Sequence, residues 1–152
     1  MLDIGLMSVR HIPEVMDIEH RAYPWPWTEG MFLESLRSGH LCYVGQLQNQ
    51  LVAYCVSYVA VQECHILNIC VDPDVQSQGY GLQMLNHTLK AAHDLGAEES
   101  FLEVRPSNPA AIKLYEKRGY EYVGTRKNYY PAGDQREDAL VYKLKLGAIA
   151  GK

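Results

Sequence analysis

The stretch Ile69–Gly81, I-C-V-D-P-D-V-Q-S-Q-G-Y-G, constrains this chain more than any other. It begins as an apolar run with the character of a strand end. Asp72-Pro73 then forces a sharp turn, because proline fixes its own φ and disfavours helix at the residue before it. Two glycines one residue apart open a helical pattern that runs from about Gly79 to Leu95, with Gly96 as its stop. Glycine lets the main chain approach a ligand closely. The first N–H groups of a helix are unpaired donors at the positive end of its dipole. Strand, turn, glycines and helix in that order predict an anion site built from backbone. The chain carries no G-x-x-x-x-G-K-S/T, which argues against a nucleoside-triphosphate loop. It carries no G-x-G-x-x-G with an acidic residue about 20 positions on, which argues against a dinucleotide fold.

The flanking periodicity supplies the rest of the fold. Leu2–Ser8 reads as a strand. Ile12, Val15, Ile18 and Ala22 recur at helical spacing and predict a helix over Ile12–Ala22. Y-P-W-P-W-T breaks it, and Thr28 is placed to cap a second short helix with Glu29 in its first turn. Leu41–Leu47, Leu51–Val61 and Cys64–Val71 read as successive strands, the first two joined at Gln48-Asn49-Gln50. In the third, Leu67, Ile69 and Val71 should share a face. In the long helix Leu82, Leu85, Leu89 and Ala92 form one stripe. Ser100–Val104 is a strand, Asn108 precedes a helix to about Lys117, and Tyr120–Lys127 and Asp138–Leu146 are the last strands. The order β-α-α-β-β-β-α-β-α-β-β predicts an α/β mixed sheet, mostly antiparallel, with a central right-handed parallel β-α-β and helices on both faces. One domain over 1–147 is expected, with 148–152 as a frayed tail.

Composition narrows the class. Of 152 residues, 47% are apolar and 21% charged, and the net charge is −4. That balance disfavours a nucleic-acid partner, whose phosphates call for basic patches. No run of about 18 apolar residues suggests a membrane span, and the first residues lack the basic-then-apolar order of a signal peptide. Cys42, Cys55, Cys64 and Cys70 lack paired spacing; they read as reduced, buried thiols of a cytoplasmic protein, and no metal site is expected.

Gln76-x-x-Gly79-x-Gly81 after V-D-P resembles the acetyl-CoA loop of the GNAT superfamily of N-acetyltransferases, and the element order resembles the acyl-CoA N-acyltransferase fold along essentially the whole chain. A-Y-P-W-P-W-T, N-I-C-V-D-P-D-V-Q, L-E-V-R-P-S-N-P-A-A-I-K-L-Y-E and R-K-N-Y-Y-P resemble the RimI-type ribosomal-protein-alanine N-acetyltransferases. Members of that group acetylate the N-terminal alanine of small-subunit ribosomal protein eighteen. The resemblance implies acetyl-CoA as cosubstrate, with no metal, and a protein N-terminus as partner. It implies cofactor contacts from the Ile69, Cys70 and Val71 backbone, from the Ser77, Gln78, Gly79, Tyr80, Gly81 and Leu82 amides, and from Asn108. Its relatives' Q-R-R-G-x-G is here Q-S-Q-G-Y-G, so two cations are missing from the loop.

Acetyl transfer to an amine needs a neutral nucleophile, a polarised carbonyl and a stabilised leaving thiolate. Glu103 stands inside the apolar F-L-E-V strand; it is either a general base or a surface carboxylate paired with Arg105, which would weaken it as a base. Tyr115 falls on one helical face with Asn108 and Ile112. The resemblance makes it the acid that protonates the thiolate; otherwise it packs on the sheet. Asn108 can also serve as a helix cap. Trp25, Trp27, Tyr129 and Tyr130 are candidates for the acceptor groove, or a lid on the core. Attack should be direct, in a ternary complex, since no cysteine is well placed for an acetyl-enzyme. Two other functions fit the same residues: transfer to a small amine or lysine side chain, and an acyl-CoA-binding module without turnover.

Overall fold

The computed structural model describes residues 1–147; the expected frayed tail at 148–152 lies outside them. Seven strands form one sheet: β1 (Asp3–Leu6), β2 (Leu41–Leu47), β3 (Gln50–Ala60), β4 (Glu63–Val71), β5 (Glu99–Val104), β6 (Glu121–Ala132) and β7 (Gln135–Lys145), in the order β1-β2-β3-β4-β5-β7-β6. Every neighbouring pair is antiparallel except β4 and β5. Four helices complete it: α1 (Ile12–Ala22), α2 (Glu29–Arg37), α3 (Tyr80–Asp94) and α4 (Pro109–Arg118).

Two apolar layers sandwich the sheet. One gathers Met84, Leu85, Leu89 and Ala92 of α3 and Tyr115 of α4 over Cys55, Ile66, Ile69, Leu102 and Val104. The other packs Ile12, Val15 and Ile18 of α1 and Phe32 of α2 over Val44, Tyr54, Val56 and Cys70. Strand residues of opposite parity feed the two layers, because successive side chains leave opposite faces. Local chemistry sets the helix ends. The Thr28 hydroxyl accepts from Met31 N at 3.2 Å, Asn108 Oδ1 accepts from Ala111 N at 3.3 Å, and Gly119 closes α4 at φ 108°.

Three expectations need correction. The first strand stops at Leu6, and Val9–His11 forms a 3-10 turn whose Ser8 N–H donates to His11 Nδ1 at 2.9 Å. The last hairpin is longer than read: β6 runs through Pro131 to Ala132, and β7 starts at Gln135, so N-Y-Y-P lies in a strand. Leu67 does not share a face with Ile69 and Val71. The β3–β4 register jumps from Asn68 opposite Val56 to Ile66 opposite Ser57, so Leu67 bulges out of the ladder and is 37% exposed.

Candidate active site

That bulge marks where the sheet opens. β4 and β5 pair only over Glu63–Ile66 and Glu99–Leu102, yet β4 continues to Val71 and β5 to Val104. Beyond Leu67 the two strands part, leaving one edge of β4 without a strand partner. Asp72 N bonds Val52 O at 2.7 Å, which fixes the phase of the β3–β4 ladder. Antiparallel bonding alternates, so the Cys70 backbone faces β3 while those of Ile69 and Val71 face the gap. Their carbonyls already accept bonds, Ile69 O from Tyr23 Oη at 2.8 Å and Val71 O from Gln76 Nε2 at 3.1 Å. The edge therefore offers N–H donors at alternate residues. Of the sequence-predicted trio Ile69, Cys70 and Val71, the middle residue is turned away: its main chain serves β3 and its thiol sits in the α1 layer, where burial pushes it up to about 12.

At the end of β4, Asp72 accepts from Asp74 N at 2.9 Å and from both arms of Arg21, at 2.9 and 2.8 Å. The Arg21 bonds hold the Asp72 carboxyl below its usual range. This pair ties α1 to the turn that launches the glycine loop. Ser77 and Gly79 take positive φ, 65° and 86°, so the chain reverses twice before α3. The first α3 bond runs from Gln83 N to Gly79 O at 3.1 Å, which leaves the N–H groups of Tyr80, Gly81 and Leu82 free of helical partners. A Cβ on Gly81 would stand 3.2 Å from Leu114 Cδ2 and 3.7 Å from Val71 Cγ2. Glycine here lets the first turn of α3 lie against α4 and β4. The loop thus keeps its donors, while Ser77 and Gln78 leave it without cations.

Glu103 and Tyr115 reach the gap from opposite faces. Glu103 leaves β5 on the α1/α2 side, as do Phe101 and Arg105. Its Oε2 accepts from Arg126 Nε at 2.8 Å, and Oε1 has no protein partner among the described residues. Arg105 is not its partner: that guanidinium donates to Glu137 Oε1 at 3.1 Å. The carboxylate is therefore half-buried and paired, but through one oxygen only. Tyr115 belongs to the α3/α4 layer and is 5% exposed. Burial, with smaller contributions from Cys55, Tyr120, Tyr130 and Cys70, raises its phenol well above the ordinary value. The Tyr120 and Tyr142 hydroxyls bond Ser100 and Glu116. That of Tyr115 has no protein partner among the described residues. Asn108 caps α4, at the head of the helix that carries Tyr115.

The aromatic candidates divide. Trp25 is 41% exposed, beside Arg105. Trp27 instead packs on Phe32, centroids 5.0 Å apart, and its N–H donates to Glu19 Oε2 at 2.9 Å; it anchors the α1–α2 loop to the core. Tyr129 and Tyr130 meet edge to face at 4.9 Å, on a stretch of β6 where register slips between Arg126 and Tyr130. Burial and the nearby Glu103 charge push the Tyr130 phenol up.

The overall plan, a sheet split by a bulge, a glycine-opened helix below the split and a strand carboxylate beside it, has known counterparts. The model of the acetyltransferase (GNAT) family matches residues 12–120. The chain belongs to this family. It is 36% identical over 146 residues to the ribosomal protein bS18-alanine N-acetyltransferase of Escherichia coli, covering 96% of this chain and 99% of that one. Against the enzyme of the same name from Haemophilus ducreyi the identity is 33% over 133 residues, covering 87% and 92%. The crystal structure of the ribosomal-protein-S18-alanine N-acetyltransferase from Escherichia coli superposes with a TM-score of 0.89 at 34% identity, covering 100% and 98%. The chain is accordingly an N-acetyltransferase of the GNAT fold.

Three residues of this family member escaped the sequence reading. Glu19 is 1% exposed and accepts from Trp27 N, from Tyr54 Oη at 2.5 Å and from Asn68 Nδ2 at 3.2 Å. Its signal was present: it sits four residues after Val15, on the apolar stripe of α1. Arg126 and Glu137 gave none, because their partners are fixed by strand register across 23 and 32 residues.

Proposed function

We propose that the chain transfers acetyl from acetyl-CoA to the α-amino group of an N-terminal alanine, with the ribosomal protein bS18 as its protein substrate in the cytoplasm. One observation carries the reading. The gap between β4 and β5 has a carboxylate, Glu103, on one face and a protonated phenol, Tyr115, on the other. The bS18-alanine acetyltransferase names of relatives at 33–36% identity supply the acceptor.

The cofactor would lie in the gap. Its pantetheine amides would meet the N–H groups of Ile69 and Val71, and its pyrophosphate the amides from Ser77 to Leu82 at the head of α3. The acceptor would enter from the α1/α2 face, between Trp25 and the Tyr129–Tyr130 stretch. A reference α-amine has a pKa of about 7.7–8.0, so freeing one proton at pH 7 costs only about 1.0–1.4 kcal/mol. A carboxylate with one open oxygen is equal to that; Glu103 Oε1 takes the proton directly or through a water. The amine then attacks the thioester carbonyl; as the tetrahedral adduct collapses the C–S bond breaks, the thiolate leaves toward Tyr115, and the second proton of the nitrogen passes through water to replace the one that Tyr115 gives up. A phenol raised by burial is fully protonated at neutral pH. It hydrogen-bonds the departing sulfur and gives up its proton as the desolvated thiolate draws it.

The test is acetyl transfer to a short peptide beginning with alanine, compared with an Nα-blocked peptide containing lysine. Transfer confined to the first supports the reading. Transfer to the second alone would replace it with a lysine acetyltransferase, and stabilisation by CoA with no transfer to either would leave a binding module.

A further inference from the structure

Arg105 has no part in the chemistry above, yet it is held by an ion pair and by two aromatic rings. Its guanidinium carbon lies 5.1 Å from the Trp25 ring centroid and 4.4 Å from that of Tyr130. Its Nη1 donates to Glu137 Oε1 at 3.1 Å, and Glu137 is itself fixed by Ser107 N at 2.9 Å and Ser107 Oγ at 3.0 Å. The Arg105 and Glu137 side chains are both about four-fifths buried.

Of the two rings it touches, Tyr130 stands on a strand residue paired with Glu137 in the β6–β7 ladder, whereas Trp25 stands on a loop whose own backbone does not fix it. Trp25 sits mid-loop between Pro24 and Pro26. The loop is fastened at its ends, by Tyr23 Oη to Ile69 O and by Trp27 N to Glu19, and not at its middle. Tyr130 follows the irregular part of β6, where Asn128 takes φ 53°. A planar guanidinium can lie against both rings while it bonds a carboxylate edge-on; an ammonium is a hydrated point charge and cannot.

We propose that Arg105 is a positioning residue that clamps Trp25 to Tyr130 and thereby sets the affinity for the acceptor chain. The inference rests on the reading of those two aromatics as walls of the acceptor groove. It gives Arg105 a role through its ring contacts, separate from the proton chemistry of Glu103.

The experiment has two arms. In a Trp27→Phe background, acrylamide quenching of Trp25 fluorescence reads the clamp without any turnover; Arg105→Lys and Arg105→Gln should both raise the quenching constant. In the otherwise unaltered enzyme, Arg105→Lys should raise KM for an alanine-initiated peptide roughly tenfold, while KM for acetyl-CoA and kcat at saturating peptide stay within about twofold. Trp25→Leu and Arg105→Lys together should cost less than the sum of the two single changes, since both remove the same coupling. Unchanged quenching would overturn the clamp. So would equal rises in both KM values with a lowered melting temperature, the mark of a general packing role. Failure of the wild-type enzyme to acetylate any alanine peptide would sink the function proposed above, while the quenching arm would still decide the clamp.

Discussion

Glu19 offers the most quantitative test of how this fold holds its site. The carboxylate lies inside the α1 layer at 1% exposure, with Oε1 receiving Tyr54 and Asn68 and Oε2 receiving the Trp27 N–H. Three donors converge on it, so it must act as an acceptor at both oxygens. Glu19→Gln keeps the shape but supplies one acceptor and one donor. In its better orientation the amide oxygen faces Tyr54 and Asn68, and its NH2 faces the Trp27 N–H across the 2.9 Å that a hydrogen bond now spans. One buried N–H is orphaned, at about 1–3 kcal/mol, and two charge-assisted bonds become neutral, at about 1 kcal/mol each. The expected cost is about 3–5 kcal/mol. Glu19→Ala strands all three donors and removes packing, for about 4–6 kcal/mol. Urea unfolding at neutral pH checks both. For a chain of this size the Gln variant should also melt lower by roughly 6–20 °C, at about 2–4 °C per kcal/mol. A Gln variant within about 0.5 kcal/mol of wild type would refute the reasoning, because it would mean that the three donors do not depend on a charged acceptor.

Four further outcomes follow from other parts of the molecule. Tyr115→Phe should lower kcat by roughly 10²-fold or more, with acetyl-CoA affinity by calorimetry unchanged, since in the proposed reaction the hydroxyl acts only on the leaving sulfur. Paired Ser77→Arg and Gln78→Arg should tighten CoA binding by about 1 kcal/mol, or about fivefold, by turning neutral contacts to phosphate into charge-assisted ones. Gly81→Ala sets about 1 kcal/mol of helix propensity against a Cβ standing 3.2 Å from the end of the Leu114 side chain, so urea unfolding should find it within about 1 kcal/mol of wild type. Asp72 has a folded-state pKa held down by Arg21, so it adds stability above its unfolded value of about 3.9, and that stability is lost as pH falls through the lower folded value. Asp72→Asn should therefore be less stable at pH 7 and show a shallower loss in acid unfolding below about pH 4.

How much of this was legible in the sequence depends on the range of the interaction. Helix α1 matched its periodic pattern end to end, and β2, α3, α4 and the caps at Thr28 and Asn108 fell within a residue or two. These are set by local spacing and by side chains bonding a few residues away. The Gly79 turn and the free amides of α3 were legible for the same reason. The failures are tertiary. The bulge at Leu67 has no local signature, since L-N-I-C-V alternates no worse than an ordinary strand; it exists because β3 and β4 slip by one residue. The pairing of Glu103 with Arg126, rather than with Arg105 two residues away, depends on β6 and β7 coming next to β5. Proximity in sequence suggested the wrong cation because side chains two apart on a strand share a face without being obliged to touch.

The same slip explains why the site can work at all. Glu103 and Tyr115 are separated by the sheet: one leaves β5 toward α1 and α2, the other comes from α4 in the opposite layer. A continuous β4–β5 ladder would wall them apart, with the Ile69 and Val71 backbones spent on β5. Ending the ladder at Ile66 and Leu102 creates a slot through the sheet and frees that edge. An amine can then approach from the acceptor face while a thioester lies along the edge and its sulfur points to the other layer. In the proposed reaction the reacting atoms would meet through the slot, and the proposed base and acid need never touch each other. On this account, a variant that closed the slot by removing Leu67, so that β4 could continue in register with β5, should keep the fold and lose CoA binding and transfer together. Retained CoA affinity in such a deletion would show that the free edge of β4 is not where the cofactor lies.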